Sequence, residues 1–304
     1  MNNFVFLFVI ALCGTRVSSL NVERTNRIAG GESAKPGEFP YVISLQEISQ
    51  LSTYTRGHRC GGAMVTARHA VTSASCVHDR TENGQFVVIN ATAYRVFAGS
   101  FNLSVDSADR NRNIEKITVH PDYRPNTPYV NDIAVITLVG EFPNSVVGTI
   151  PLAVSEPTQD QGSICQAAGW GSQNGTSSAS TQLMHRNKTV FDQAVCKGVY
   201  STPVPGFTQI NVENSMMCAL NPLSPSCEGD LGNPLVCNWY LTGILVHHRN
   251  DCSLGVGSFP EVYTRISSFR SWIERTSGAS TFQPGMAVLG LICIVQIVTA
   301  KVLQ

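Results

Sequence analysis

The chain predicts an all-β fold closed by one helix, and three observations carry that expectation. From Ile28 to about Thr264, short apolar or alternating runs recur, punctuated by Gly, Pro, Asn and Ser, which is the pattern of a β-sandwich or barrel. After them, Ile266, Phe269, Trp272 and Ile273 share one face of a helical period, with Ser267 as candidate N-cap. The composition also allows a large core: of 304 residues, 43% are apolar and only 14% charged, so disorder is not the default.

In chain order, residues 4–12 are an apolar run too short to span a bilayer. Small residues follow, and Val17 and Ser19 are placed for cleavage, so 1–19 reads as a signal peptide and 20–27 as a short propiece. The runs Tyr41–Leu45, Gly62–Val65, Tyr94–Phe97, Ile114–Val119 and Ile133–Val139 read as strands of a first half. Leu235–Cys237 and Leu241–Val246 belong to a second. Gly148–Gly162, with its prolines and polar residues, reads as the linker between them, and Ser172–Thr181 as a loop.

Residues 277–304 are a small-residue spacer followed by an apolar tail. As a helix, Met286–Ala300 would be about 22 Å long, short of the ~30 Å hydrocarbon core. The order of small residues, spacer and apolar run suggests a glycolipid-anchor signal, with a membrane tail helix as the alternative.

The formal net charge is zero, which gives no support to a nucleic-acid partner or a polybasic membrane contact. Ten cysteines are present; with Cys13 in the signal and Cys293 in the tail, eight remain. An even number in a chain with a secretory signal predicts disulfides in an oxidising space. Their spacings match no zinc-ligand pairs, and neither metal nor cofactor is expected. Four N-x-S/T sequons, at Asn90, Asn102, Asn174 and Asn187, predict a glycosylated surface.

Several motifs occur in a fixed order. They are Arg27-Ile28-Ala29-Gly30-Gly31, Cys60-Gly61-Gly62-Ala63-Met64-Val65, Val71-Thr72-Ser73-Ala74-Ser75-Cys76, Asn131-Asp132-Ile133-Ala134, Ala168-Gly169-Trp170-Gly171, Cys227-Glu228-Gly229-Asp230-Leu231-Gly232-Asn233-Pro234-Leu235 and Glu261-Val262-Tyr263-Thr264. Together they resemble the chymotrypsin/trypsin-like serine protease family over about Ile28–Thr276. The resemblance implies two six-stranded antiparallel β-barrels with a cleft between them and a C-terminal helix. It implies the disulfides Cys60–Cys76, Cys165–Cys237, Cys196–Cys218 and Cys227–Cys252. It further implies cleavage after Arg27, freeing the Ile28 amine to pair with Asp230.

The resemblance assigns the catalytic base to position 75, its orienting carboxylate to Asp132 and the nucleophile to position 231. Here Ser75 and Leu231 occupy two of the three positions. A hydroxyl is no useful base at neutral pH, and leucine has no lone pair to donate. The specificity pocket is also altered. Pro225 stands where trypsin-like members have an aspartate, and His248 and Glu261 replace wall glycines, with His247 beside them. Glu261 would need a buried partner, for which His248 or a water is the expectation.

These substitutions lead to the expectation of a chain that is not an enzyme: an insect-like serine protease homologue that binds extracellular proteases, inhibitors or receptors. It would act as cofactor, regulator or decoy in proteolytic, immune or reproductive (seminal) fluids. It would be secreted or held at the outer face of the plasma membrane. The alternative is a serine-endopeptidase-like hydrolase with atypical catalytic residues.

Overall fold

The apolar and alternating runs of the first half become strands that close on themselves. In the computed structural model, which describes residues 31–127, 129–154, 161–172, 180–203, 209–222, 225–248 and 259–278, a short β1 (Glu32–Ser33) comes first. It is followed by β2 (Val42–Glu47), β3 (His58–Thr66), β4 (His69–Thr72), a side hairpin of β5 (His78–Arg80) and β6 (Phe86–Val88), then β7 (Tyr94–Ala98), β8 (Asn111–Val119) and β9 (Ala134–Leu138). Strands β2-β3-β4-β9-β8-β7 form a closed antiparallel barrel. Closure removes the sheet edges that would otherwise invite pairing with another chain. Ile43, Leu45, Met64, Val96, Ile136 and Leu138 fill its interior.

The second half repeats the architecture. It comprises β10 (Ile164–Gly169), β11 (Met184–Val190), α1 (Gln193–Ser201), β12 (Met216–Leu220), β13 (Pro234–Cys237), β14 (Tyr240–His247) and β15 (Glu261–Arg265), ending in α2 (Ile266–Ser277). The strands run β11-β10-β13-β14-β15-β12, and β12 pairs back onto β11 to close the second barrel, with β1 laid outside on β11. The expected strands are all present, most of them longer than the apolar runs that flagged them. Ile133 lies just outside β9, and β3 begins at His58 rather than Gly62.

Helix α2 buries Ile266, Phe269 and Ile273, with Trp272 partly covered. Its N-cap is Arg265, which makes no side-chain cap bond, rather than Ser267. Burial of the Ile266 face, not capping, therefore fixes where this helix starts. The His120 ring lies 5.1 Å from Phe269 and 4.9 Å from Trp272, which pins α2 to the first half of the chain. Helix α1, which apolar periodicity did not reveal, is capped by Asp192 accepting from the Ala194 and Val195 amides.

Three of the implied disulfides are present: Cys60–Cys76, Cys165–Cys237 and Cys196–Cys218. Cys227 is disulfide-bonded, and Cys252 lies outside the described residues. The segments expected as signal peptide, propiece and C-terminal tail, together with Arg27, Ile28, Asn174 and residues 155–160 and 173–179 of the expected linker and loop, also lie outside them. Asn90 and Asn187 are exposed and Asn102 is half-buried. Among the described residues, no helix is long and apolar enough to cross a membrane, and no cluster of His, Cys, Asp or Glu could hold a metal ion.

Candidate active site

Three loops bring the predicted positions to the junction of the barrels. Ser75 opens a 3-10 turn, Ser75–Val77, just after β4. Asp132 sits two residues before β9, its approach turned by Asn131 at φ 53°, a left-handed conformation that asparagine tolerates. Leu231 lies in the loop leading to β13. Its carbonyl accepts the Gly61 amide of β3 at 2.8 Å, and its side chain packs against the cores of both barrels. The Thr264 hydroxyl of β15 donates to the Asp132 carbonyl at 2.8 Å, a second tie between the halves.

Asp132 is 1% exposed. The Ser75 amide donates to its Oδ1 at 2.7 Å, while Ser75 Oγ lies 3.0 Å from Ser73 Oγ. Burial raises the Asp132 pKa to about 6, although hydrogen bonds from Ser75 and Ala74 favour the charged form. Asp132 is thus a buried, hydrogen-bonded carboxylate. A cavity of about 540 Å³ opens beside these groups, lined by Ser75, Leu231, Gly229, His248, Arg59 and Glu228, together with the Cys60–Cys76 disulfide. The structure therefore gathers Ser75, Leu231 and His248 around one space, with Asp132 directly behind Ser75.

The second barrel also holds a buried ionic cluster. The β14–β15 register pairs His247 with Val262, and Glu261 of β15 pairs with Ala219 of β12. The expected partner of Glu261 was His248 or a water. The structure corrects this: the Lys188 ammonium donates to Glu261 Oε1. The Ser226 amide joins at 2.6 Å, the Ser226 hydroxyl at 3.0 Å and the Tyr263 hydroxyl at 2.6 Å. Lys188 reaches this point because β11 alternates: Met184, Arg186, Lys188 and Val190 point inward, Asn187 and Thr189 outward. Burial lowers the Lys188 pKa to about 8 even beside its counter-ion. Burial alone would raise Glu261, but the Lys188 charge and the converging donors outweigh it and hold Glu261 below its usual range. The Pro225 carbonyl is occupied by Arg186.

Asp230 is equally well paired. It accepts from the Gly171 amide at 2.9 Å, Asn233 Nδ2 at 2.7 Å and the Cys227 amide at 2.8 Å, with Arg186 Nη2 at 3.7 Å. Gly171 is required at this contact, since a Cβ there would lie 2.2 Å from the Asp230 carboxyl carbon. Nearby, His58 Nε2 meets the Gly229 carbonyl at 2.9 Å and Nδ1 meets Ser44 Oγ at 2.7 Å. Because a carbonyl only accepts, the proton sits on Nε2 and the Ser44 hydroxyl donates to Nδ1. Burial keeps this ring neutral. His58, Arg186, Lys188 and Ser226 lie outside the sequence motifs, while Ser73 and Tyr263 lie within motifs but are not singled out as site residues.

The two histidines at the end of β14 part company. His248 is buried and faces the cavity. His247 packs its ring 4.8 Å from Tyr129 and 5.8 Å from Tyr200. Burial lowers its pKa to about 4, so it is neither a surface residue nor a base poised at neutral pH.

The Trypsin family profile matches residues 28–273. Trypsin beta of Drosophila erecta is 32% identical over 278 residues, covering 90% of this chain and 98% of its own. A chymotrypsin-like serine proteinase of Haliotis rufescens is 31% identical, covering 88% and 98%. Neuropsin, a serine protease expressed in the limbic system of mouse brain, superposes with a TM-score of 0.66 at 25% identity, over 82% of this chain and 99% of its own. These findings overturn the expectation that the chain is not an enzyme. The relatives that match it nearly end to end are named as proteases, and the fold that carries their activity is present with its cleft. The substitutions at 75 and 231 alter which groups are available for chemistry in that cleft, without removing the cleft. By sequence and by fold alike, the chain belongs to the trypsin family.

Proposed function

We propose that this chain is a serine-endopeptidase-like hydrolase with atypical catalytic groups, acting on polypeptide held between the barrels in an extracellular setting. The observation that carries the reading is the Ser75–Asp132 pair. Leu231 offers no lone pair, so Ser75, whose residue lines the cavity, is the oxygen nucleophile of this cleft. Asp132 lies against Ser75, whose backbone amide donates to Oδ1 at 2.7 Å. With a pKa raised by burial to about 6, against the lowering effect of the Ser75 side chain, it is a base matched to neutral pH for the adjacent hydroxyl. In the proposed reaction Ser75 Oγ attacks the scissile carbonyl carbon and its proton passes to Asp132. The tetrahedral intermediate then breaks its C–N bond, the departing amine takes the proton back, and water hydrolyses the acyl-Ser75 ester. With no imidazole in the relay the rate is modest. When a triad member is missing, binding and oxyanion stabilisation still leave about 10³–10⁴-fold over water. The disulfides fit an oxidising compartment, and attachment to the outer face of a membrane through the apolar C-terminal run belongs to the same reading.

A fluorophosphonate probe tests the nucleophile. The expected result is a single adduct that peptide mass spectrometry maps to Ser75 and that is lost in Ser75→Ala. A wild-type chain that stays unlabelled, or a Ser75→Ala chain labelled to the same extent, refutes the reading.

A further inference from the structure

We infer that Lys188 is a built-in occupant of the specificity pocket whose wall positions, by the family resemblance, are His248 and Glu261: a tethered ammonium that takes the place a substrate's cation would take on Glu261, closing the cleft to basic side chains. The inference deepens the hydrolase reading above and rests on it for the direction of substrate entry. Its physical basis is local. Lys188 comes from β11 of the second barrel, its side chain has no solvent exposure, and Glu261 is 3% exposed. Nζ reaches Glu261 Oε1 and lies 3.4 Å from Ser226 Oγ. The rest of the Glu261 carboxylate is held by the Ser226 amide, the Ser226 hydroxyl and the Tyr263 hydroxyl. Two buried cations, Arg186 and Lys188, face two buried anions, Asp230 and Glu261, so the cluster is neutral as it stands.

An incoming lysyl or arginyl side chain would add a third cation. It could reach Glu261 only by displacing Lys188, which would then be a buried ammonium parted from its counter-ion. Separating such a pair costs roughly 10²–10³-fold or more in affinity. Pro225 carries no anion, and its carbonyl is already taken by Arg186. The side chain facing this pocket in a bound polypeptide is therefore short and uncharged.

The tether also makes the site recoverable. Lys188→Ala removes three methylenes and an ammonium while leaving the carboxylate and its other donors in place. The vacated shape is that of n-propylammonium.

The experiment measures thermal stability and calorimetric binding of the wild-type chain and of Lys188→Ala with n-propylammonium, n-propanol and benzamidine. The inference expects no saturable response of the wild type to any of the three. It expects a saturable rise in melting temperature of Lys188→Ala with n-propylammonium and not with n-propanol, abolished by adding Glu261→Gln. Should Lys188→Ala fold poorly, its refolding yield with and without n-propylammonium gives the same readout. Saturable binding of benzamidine or n-propylammonium to the wild type would overturn the inference, as would a Lys188→Ala chain indifferent to n-propylammonium in both stability and refolding. None of these readouts needs turnover, so failure of the hydrolase reading and failure of this one are told apart.

Discussion

Lys188→Met lowers the stability of the domain by about 3–5 kcal/mol, because it strands Glu261 as a buried carboxylate without its cation. The side chains have nearly the same length, so packing is largely kept and the loss reports the charge. Glu261 retains the Ser226 and Tyr263 donors, which places the effect toward the lower end of that range. The discriminating comparison is the double variant Lys188→Met/Glu261→Leu. Replacing a buried ion pair by apolar residues is often neutral, so the double variant is expected to be more stable than Lys188→Met alone. Denaturant midpoints for the wild type, both single variants and the double variant give the coupling directly. A double variant that loses the sum of the two single losses would mean that the residues do not act as a pair.

Ser75→His with Leu231→Ser raises hydrolysis of peptides carrying glycine or alanine on the acyl side of the scissile bond by several orders of magnitude, and leaves arginyl peptides uncut. The first change returns an imidazole beside Asp132, and the second returns an oxygen nucleophile on the wall of the same cavity. A complete triad adds up to about 10⁶-fold in kcat, the upper bound for the gain. The arginyl substrate stays flat because the added groups do nothing to the Lys188–Glu261 pair that fills the pocket. Comparing kcat/KM for an alanyl and an arginyl substrate in this variant is the check, and rapid arginyl hydrolysis would show that the pocket is open.

The first barrel and strands β13 and β14 were legible because their strands carry apolar residues facing a core, as Ile43 and Leu45 of β2 do. The triad positions were legible because the motifs around Ser75, Asp132 and Leu231 stand in order. The ionic cluster was not. β11 has the alternation of a strand, but two of its four inward positions are Arg186 and Lys188. A reading that seeks apolar residues on the buried face passes over it, and Asn187-Lys188-Thr189 registers only as a sequon. Glu261 signalled that a buried partner was needed, but that partner lies 73 residues away in sequence, and only closure of the second barrel brings it near. Helix α1 was missed for a related reason: it buries Cys196 and Tyr200, too few residues to produce an apolar stripe.

The central claim is that the cleft hydrolyses peptide bonds through Ser75 with Asp132 as base. Its most direct test is turnover of a mixed peptide library by the wild-type chain, Ser75→Ala and Asp132→Asn between pH 5 and 8, with products identified by mass spectrometry. Asp132 has its folded pKa raised from 3.8 to about 6, so it is protonated and inert at the acid end and becomes the base as pH rises. The account predicts a wild-type rate that climbs through about pH 6 and levels above it, with no turnover in either variant. A wild-type chain that cleaves nothing across this range, or an Asp132→Asn chain with the wild-type rate and pH profile, would contradict it.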